Sequence, residues 1–282
     1  MDITACRTVL YKEITGIICF GMFRNQGHQQ IDFQEIFMNK SGLPRVPVGV
    51  IVSANAEWEA VREILPRRET RKYPYGEWFP DTVRIESEDI DVVFMHGGWG
   101  KISAAASAQY LIDHANPELI VNLGTCGGFK GEIERGTIVL VERVVVYDII
   151  EAMADFDDHI AHYTTELDLS WLRSPYPQKV TRTLLVSGDR DLRPEDIHEL
   201  KDRYKAVAGD WESGSIAWVA ERNDVRCLIL RGVTDLIGDD GGEAYNGMID
   251  VYRANSRKII ESLLAHLPDW IRYHVESKSR NK

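Results

Sequence analysis

Cysteine is scarce in this chain of 282 residues, and long apolar runs are absent from it. The four cysteines lie far apart and form no CxxC pair, which excludes a disulfide framework and is typical of reduced thiols in a cytoplasmic protein. No apolar stretch reaches the roughly 18 residues that a membrane-spanning helix needs. The nearest approach, Ile14–Phe23, is interpreted as a buried strand or hairpin rather than as a signal segment. The cysteines are Cys6, Cys19, Cys126 and Cys227.

Positive charge is also in deficit. The chain has 33 Lys and Arg against 44 Asp and Glu, so its formal charge is −11. A protein that binds nucleic acid or an anionic membrane would carry a basic face, so we expect neither partner. Hydrophobic residues make up 44% of the chain and charged residues 27%, which predicts a folded globular domain rather than a disordered chain.

The common nucleotide motifs are missing as well. Gly97–Lys101 suggests a phosphate-binding loop, but Met95 stands where its first glycine belongs and Ile102 replaces its hydroxyl residue. No GxGxxG follows the first predicted strand, and neither Ser187–Asp189 nor Ser213–Ser215 forms a GxSxG elbow. We therefore predict no cofactor.

One segment has the residue types of a metal site. Asp155–His162 contains three aspartates and two histidines, which suit either a metal ion or a solvated polar loop. Its spacing matches no metal-binding motif, so we interpret it as a loop and predict no metal.

The chain divides into three parts by composition. Residues 1–45 are predicted to be an N-terminal extension of unknown role that ends at Gly42 and Pro44, residues 46–275 the main domain, and residues 276–282 a polar tail. Within the main domain, apolar strand-like runs alternate with helical patterns, which predicts an α/β fold with helices on both faces of a sheet. The predicted strands begin near Val48, Asp91, Leu119, Thr137, Thr183 and Cys227, and helices are predicted over about 57–65, 102–116, 212–221 and 248–267.

Three segments, taken in order, resemble the nucleoside phosphorylase/nucleosidase superfamily and within it the 5′-methylthioadenosine/S-adenosylhomocysteine nucleosidases. They are Gly49–Glu57, the block from Gly97 to Gly128, and Asp210–Ala217 together with Leu230–Asp235. The resemblance implies a three-layer α/β/α fold around a mixed, largely parallel sheet. It also implies hydrolysis of the N-glycosidic bond of a purine nucleoside by a cytoplasmic homodimer whose only other reactant is water.

The resemblance makes Asp235 the general acid. Expulsion of a purine becomes far easier when N7 is protonated, and such a step typically contributes about 10²–10⁴-fold in rate. A carboxyl group acts as an acid near neutral pH only if it keeps its proton, which burial favours. The alternative is that Asp235 caps the segment that follows its strand.

Glu57 corresponds to the residue that activates the attacking water, with Thr125 and Arg231 helping to hold that water. Glu59 is the alternative, although the similarity runs without a gap from Gly49 to Glu57. A buried Arg231 needs a carboxylate partner, and we expect that partner to be Glu57.

Substrate contacts are implied for five further residues. Glu212 would accept hydrogen bonds from the ribose hydroxyls, since an ionised carboxylate is an acceptor only; the alternative is a first-turn Glu favoured by the helix dipole. Trp211 would line the sugar, and Trp99 either lies near the 5′ substituent or fills the core. Gly127 belongs to the binding loop, and Asp191 stands where the family usually has an aromatic residue against the base.

Arginine is missing where a phosphate-using relative would have it. Guanidinium groups match the geometry of phosphate, yet the segment Ser53–Glu57 contains no arginine. At a second position where the phosphorylases have an arginine, this chain has Asn122. Hydrolysis is therefore the favoured reaction. A phosphate-dependent phosphorylase and a catalytically weak nucleoside-binding or storage protein are the alternatives.

Overall fold

The computed structural model of the protein describes residues 42–65, 68–153, 155–238, 241–243 and 249–280. Within these ranges, no helix combines the length and apolar character that crossing a membrane requires. The strands are β1 (Val48–Val52), β2 (Arg71–Tyr73), β3 (Gly76–Ile85), β4 (Glu88–His96), β5 (Leu119–Phe129), β6 (Ile138–Val146), β7 (Thr164–Glu166), β8 (Thr181–Ser187), β9 (Ala208–Asp210), β10 (Arg226–Gly238) and β11 (Gly241–Gly242). The helices are α1 (Asn55–Ile64), α2 (Gly100–Ala115), α3 (Phe156–His162), α4 (Pro194–Tyr204), α5 (Ser213–Arg222) and α6 (Ile249–Arg280).

All described strands belong to one mixed sheet, part of which closes on itself. β10 pairs with both β5 and β6, and β8 and β9 complete a ring of the five strands β5, β10, β6, β8 and β9. From β5 the sheet continues through β1, β4, β3 and β2. Five of the described pairings are parallel and six antiparallel. The α/β class and the mixed sheet are as predicted, but the sheet is not largely parallel, and three stacked layers do not describe its ring.

β1 shows why helices cover both faces of the open part of the sheet. All five of its residues are buried, and alternate side chains enter different clusters: Val48, Val50 and Val52 pack on one face and Ile51 on the other. The first cluster also takes its side chains from α1 and α6, and the second from α2 and α5.

The last helix is longer than predicted. It was expected to end near Leu267, yet α6 continues through Pro268 to Arg280 and so includes most of the segment predicted to be a polar tail. The apolar stripe explains this, because Trp270 and Ile271 beyond the proline are fully buried against the sheet.

Two other segments also differ from expectation. Asp155–His162, interpreted as a loop, is largely the helix α3, and the Asp155 carboxylate caps it by accepting a hydrogen bond from the backbone N–H of Asp157. The hairpin formed by β2 and β3 was not predicted. Residues 1–41 of the predicted N-terminal extension, including Ile14–Phe23, lie outside the described residues. Leu43, near the end of the extension, is buried in the hydrophobic cluster that includes α2.

Candidate active site

A cavity of about 510 Å³ opens where β5 and β10 end. This is the edge of an α/β sheet at which ligands usually bind. Seven of the nine predicted site residues line it, and the other two lie directly behind its wall, where they contact lining residues. The seven are Trp99, Thr125, Gly127, Asp191, Trp211, Glu212 and Asp235, and the two behind them are Glu57 and Arg231.

Glu57 is held by the first turn of α1 and by β5. Its Oε1 atom accepts hydrogen bonds from both the backbone N–H and the hydroxyl of Thr125, each at 2.6 Å, while the N–H of Ala54 lies 3.4 Å from Oε2. Burial raises the pKa of Glu57, although the Arg231 charge and the Thr125 hydrogen bonds oppose that rise. Glu59, the alternative, is exposed at the cavity rim.

Glycine at position 124 lets two charged groups converge. A Cβ atom there would lie 2.9 Å from Oε2 of Glu57 and 3.0 Å from Nη1 of Arg231. Both groups are buried, so a larger residue at position 124 would push them apart.

Arg231 forms its ion pair with Asp210 and not with Glu57, so the predicted partner was wrong. Its Nε lies 2.7 Å from the Asp210 carboxylate, and its Nη2 donates to the side-chain oxygen of Asn122 at 2.5 Å. The Asp210 carboxylate also accepts from the N–H and hydroxyl of Ser213 in the first turn of α5. Glu57 acts on Arg231 only through its charge.

Asp235 owes its orientation to an irregularity in β10. The pairing with β5 shifts register between Val233 and Asp235, so Thr234 is an extra residue. Both Thr234 and Asp235 line the cavity at this irregularity. The Thr234 hydroxyl donates to the Asp235 carboxyl group at 2.7 Å, and burial raises the pKa of that carboxyl group. Asp235 lies within β10 and does not cap the segment that follows.

Glu212 lies immediately before α5 and accepts a 3.1 Å hydrogen bond from the backbone N–H of Gly100 at the start of α2. Burial, together with the charges of Asp210 and Glu57, raises its pKa to about 8.

Two indole rings stand at the mouth of the cavity. Trp99 stacks on Trp211 with ring centroids 5.6 Å apart. Because 67% of Trp99 remains exposed, core filling does not explain it.

Further lining residues had not been assigned a role from the sequence, among them Asp210, Leu192 and Tyr252. Asp210 was recognised within its motif but given no role. Its ion pair with Arg231 could have been inferred, since a buried arginine requires a carboxylate partner. Leu192 and Tyr252 carry no motif signal, because only the tertiary fold brings them to the cavity. Among the described residues, no three histidine, cysteine or acidic side chains meet in a way that could hold a metal ion.

Comparison with known proteins decides the family. The model of the phosphorylase superfamily matches residues 47–265. The chain belongs to the phosphorylase superfamily. The match to this superfamily includes every predicted site residue and leaves out the N-terminal extension.

Curated members of the superfamily show the same similarity. A 5′-methylthioadenosine/S-adenosylhomocysteine nucleosidase of Hydrogenovibrio crunogenus is 26% identical over 190 residues, which is 63% of this chain and 82% of that protein. The nucleosidase of the same name from Tolumonas auensis is 23% identical over 232 residues, or 78% of this chain and 99% of that protein.

Solved structures within the superfamily share the fold. The Arabidopsis thaliana 5′-methylthioadenosine nucleosidase superposes with a TM-score of 0.62 at 22% identity, covering 79% of this chain and 96% of that one. The Streptococcus pneumoniae nucleosidase, solved with a transition-state inhibitor, has a TM-score of 0.61 at 20% identity and covers 78% of this chain and 98% of that one.

Proposed function

We propose that this protein is a nucleosidase that hydrolyses the N-glycosidic bond of a purine nucleoside of the methylthioadenosine or S-adenosylhomocysteine type. The observation that carries the proposal is that Asp235 and Glu212 line one cavity and Glu57 lies directly behind its wall, each with a raised pKa. Buried acids whose pKa is shifted in a cleft are typical of acid–base catalysis.

In the proposed mechanism, Asp235 donates its proton to N7 of the purine as the bond to the ribose breaks. Glu57 takes a proton from water, whose oxygen then bonds to the anomeric carbon. Glu212 accepts hydrogen bonds from the ribose hydroxyls, which favour its ionised form. The products are the free base and a ribose derivative, and Asp235 recovers a proton as Glu57 loses one.

The buried charged groups of the site favour water over phosphate. Glu57, Asp210 and Glu212 are buried carboxyl groups, and Arg231, the only buried arginine in the described part of the chain, is already paired with Asp210. A phosphate dianion would meet repulsion from the carboxylates without a free guanidinium from Arg231 to offset it.

The reaction is tested by incubating the purified protein with methylthioadenosine, S-adenosylhomocysteine, adenosine, inosine and guanosine, with and without phosphate. We expect free base and free ribose derivative without phosphate. A ribose 1-phosphate product formed only with phosphate would identify a phosphorylase instead. A rise in melting temperature without any product would identify a binding or storage protein.

We also propose that the protein works as a homodimer in the cytoplasm. Trp99 at the cavity and Ile102 in the first turn of α2 are 67% and 84% exposed, and a second copy would cover them. The thiols of Cys126 and Cys227 are free, as in a reducing compartment. Light scattering during size-exclusion chromatography tests the dimer, and a monomeric mass would contradict it.

A further inference from the structure

Lys101 is the charged residue of the segment Gly97–Lys101, and the proposed mechanism gives it no role. It is the second residue of α2, and its ammonium group forms an ion pair with the carboxylate of Asp148, two residues after β6. The two side chains are only 18% and 12% exposed, so water and salt weaken this pair less than they weaken a surface pair. Asp148 therefore holds the start of α2 against the end of β6.

Asp148 and Asp189 meet because their strands are neighbours. β6 and β8 run parallel with Val146 paired to Ser187, and each aspartate lies two residues beyond the end of its strand. The Asp148 carboxylate accepts a hydrogen bond from the backbone N–H of Asp189 at 2.8 Å, and the Asp189 carboxylate accepts one from the backbone N–H of Lys101 at 2.7 Å. With the ion pair, these contacts close a ring of three residues, Lys101, Asp148 and Asp189, here called the α2 clamp.

The α2 clamp lies beside a contact to Glu212. Gly100 and Lys101 are the first two residues of α2, so their backbone N–H groups have no partner within the helix. The Gly100 N–H donates to Oε1 of Glu212 at 3.1 Å, whereas the Lys101 N–H donates to Asp189. Because these N–H groups belong to successive peptide units, the contact to Asp189 also determines where the Gly100 N–H meets Glu212.

The fit at this point is tight enough to require glycine. Gly100 has a φ of +80°, which a residue with a side chain adopts only with strain, and a Cβ atom there would lie 2.9 Å from Oδ1 of Asp189. The first turn of α2 is thus packed directly against the clamp, and a displacement of Asp189 would move it.

We propose that the α2 clamp positions Glu212 for ribose binding, with Lys101 and Asp148 as positioning residues. By fixing the first turn of α2, the clamp keeps the Gly100 N–H on Oε1 of Glu212 and so orients the carboxylate toward the ribose hydroxyls. The proposal rests on the proposed function, because that function gives Glu212 its ribose partner.

The proposal differs in a measurable way from a purely structural role. If Lys101 and Asp148 only stabilised the fold, their loss would loosen the cavity for every nucleoside alike. If they act through Glu212, their loss weakens only ligands that offer ribose hydroxyls to its carboxylate, because a sugar without hydroxyls has no hydrogen bond to lose.

Calorimetry with two nucleosides tests the proposal. Dissociation constants of 5′-methylthioadenosine and its 2′,3′-dideoxy analogue are measured in an Asp235→Asn background, so that neither is cleaved. We expect Lys101→Met and Asp148→Asn each to weaken the binding of methylthioadenosine by about 3- to 10-fold, the contribution of one hydrogen bond, and to change that of the dideoxy analogue by less than about 2-fold. Lys201→Met, which removes the ion pair between α4 and Glu132, is the matched control and should change neither constant.

A second comparison tests whether the effect passes through Glu212. When Glu212→Ala is added to the same background, Lys101→Met should cause no further loss of methylthioadenosine binding. Equal weakening of both nucleosides, no weakening of either, or an additive loss with Glu212→Ala would overturn the proposal. Failure of the wild type to cleave any nucleoside would count against the proposed function alone, because these binding measurements need no turnover.

Discussion

The structure has a second cavity, at the opposite end of the strands, that makes an instructive contrast with the active site. This distal cavity, of about 450 Å³, lies where β5 and β10 begin and is lined by Glu118, Asp168, Arg226, His274 and Lys278 among others. The two cavities have similar size and both contain several acidic residues. They differ in how deeply those acids are buried.

In the distal cavity Glu118 and Asp168 are exposed and have close partners. Lys278 donates to both carboxylate oxygens of Glu118, at 2.5 and 2.6 Å, and holds the pKa of Glu118 below its usual value. Hydrogen bonds from Ser170 do the same for the pKa of Asp168. In the active site the pKa values of Asp235, Glu57 and Glu212 move upward instead. The difference indicates that burial of the acids, and not acidic composition, distinguishes the functional cavity.

The largest expected effect comes from Asp235→Asn. Asparagine cannot donate the proton that the leaving base needs, so kcat should fall by about 10²–10⁴-fold while the melting temperature stays nearly unchanged. Asp168→Asn in the distal cavity is the control, with activity equal to wild type. Full activity in Asp235→Asn would remove the assignment of the acid.

Glu57→Gln should come next, with a loss of about 10²–10³-fold in kcat, because the variant keeps the shape of the side chain but cannot accept a proton from water. The acidic limb of the pH profile, where Glu57 becomes protonated, should disappear. The exposed Glu59→Gln provides the comparison. A larger loss in Glu59→Gln than in Glu57→Gln would show that the wrong glutamate had been assigned.

Glu212→Gln should weaken substrate binding and stabilise the protein. We expect KM to rise by about 10-fold, since an amide oxygen accepts hydrogen bonds from the ribose hydroxyls less strongly than a carboxylate does. The pKa of Glu212 is raised on folding, from 4.5 to about 8, so the folded protein binds the extra proton and the wild type loses stability as pH rises between those values. The melting temperature of the variant should therefore exceed that of wild type by roughly 3–6 °C at pH 8 and match it near pH 4.5. Equal melting temperatures at both pH values would contradict this.

The smallest effect is expected from Glu118→Gln in the distal cavity. The pKa of Glu118 is lowered on folding, so its contribution to stability is present above pH 4.5 and is lost as pH falls through the folded pKa. Because the pair with Lys278 is nearly half exposed, the melting temperature at pH 7 should fall by only about 1–2 °C, with kcat unchanged. A loss of activity would show that the two cavities are coupled.

The sequence allowed a good prediction of where the site lies. The resemblance assigned both Thr125 and Asp235 to the site, and the structure brings both to one cavity. Sequence reasoning can find such residues because each comes after a buried apolar run. The alternation of strands and helices implies the direction in which that strand runs.

What could not be predicted depends on long-range contacts. The Arg231 pair with Asp210 depends on β9 joining the ring. A choice between Glu57 and Asp210 as the partner of Arg231 requires knowledge of which strand lies beside which. Tyr252 is harder still, because a helix pattern does not show which residue of its first turns reaches a distant strand.

The closed ring of strands has a consequence for motion. β5 and β10 supply Thr125 and Asp235, and each is hydrogen-bonded to strands on both sides, so neither can fray at an open edge. Backbone amides in these two strands should exchange with deuterium only when the whole domain unfolds, whereas those of β2, at the end of the sheet, should exchange through local opening. The spacing between Asp235 and Thr125, which holds the Glu57 carboxylate, is thus preset before a nucleoside arrives.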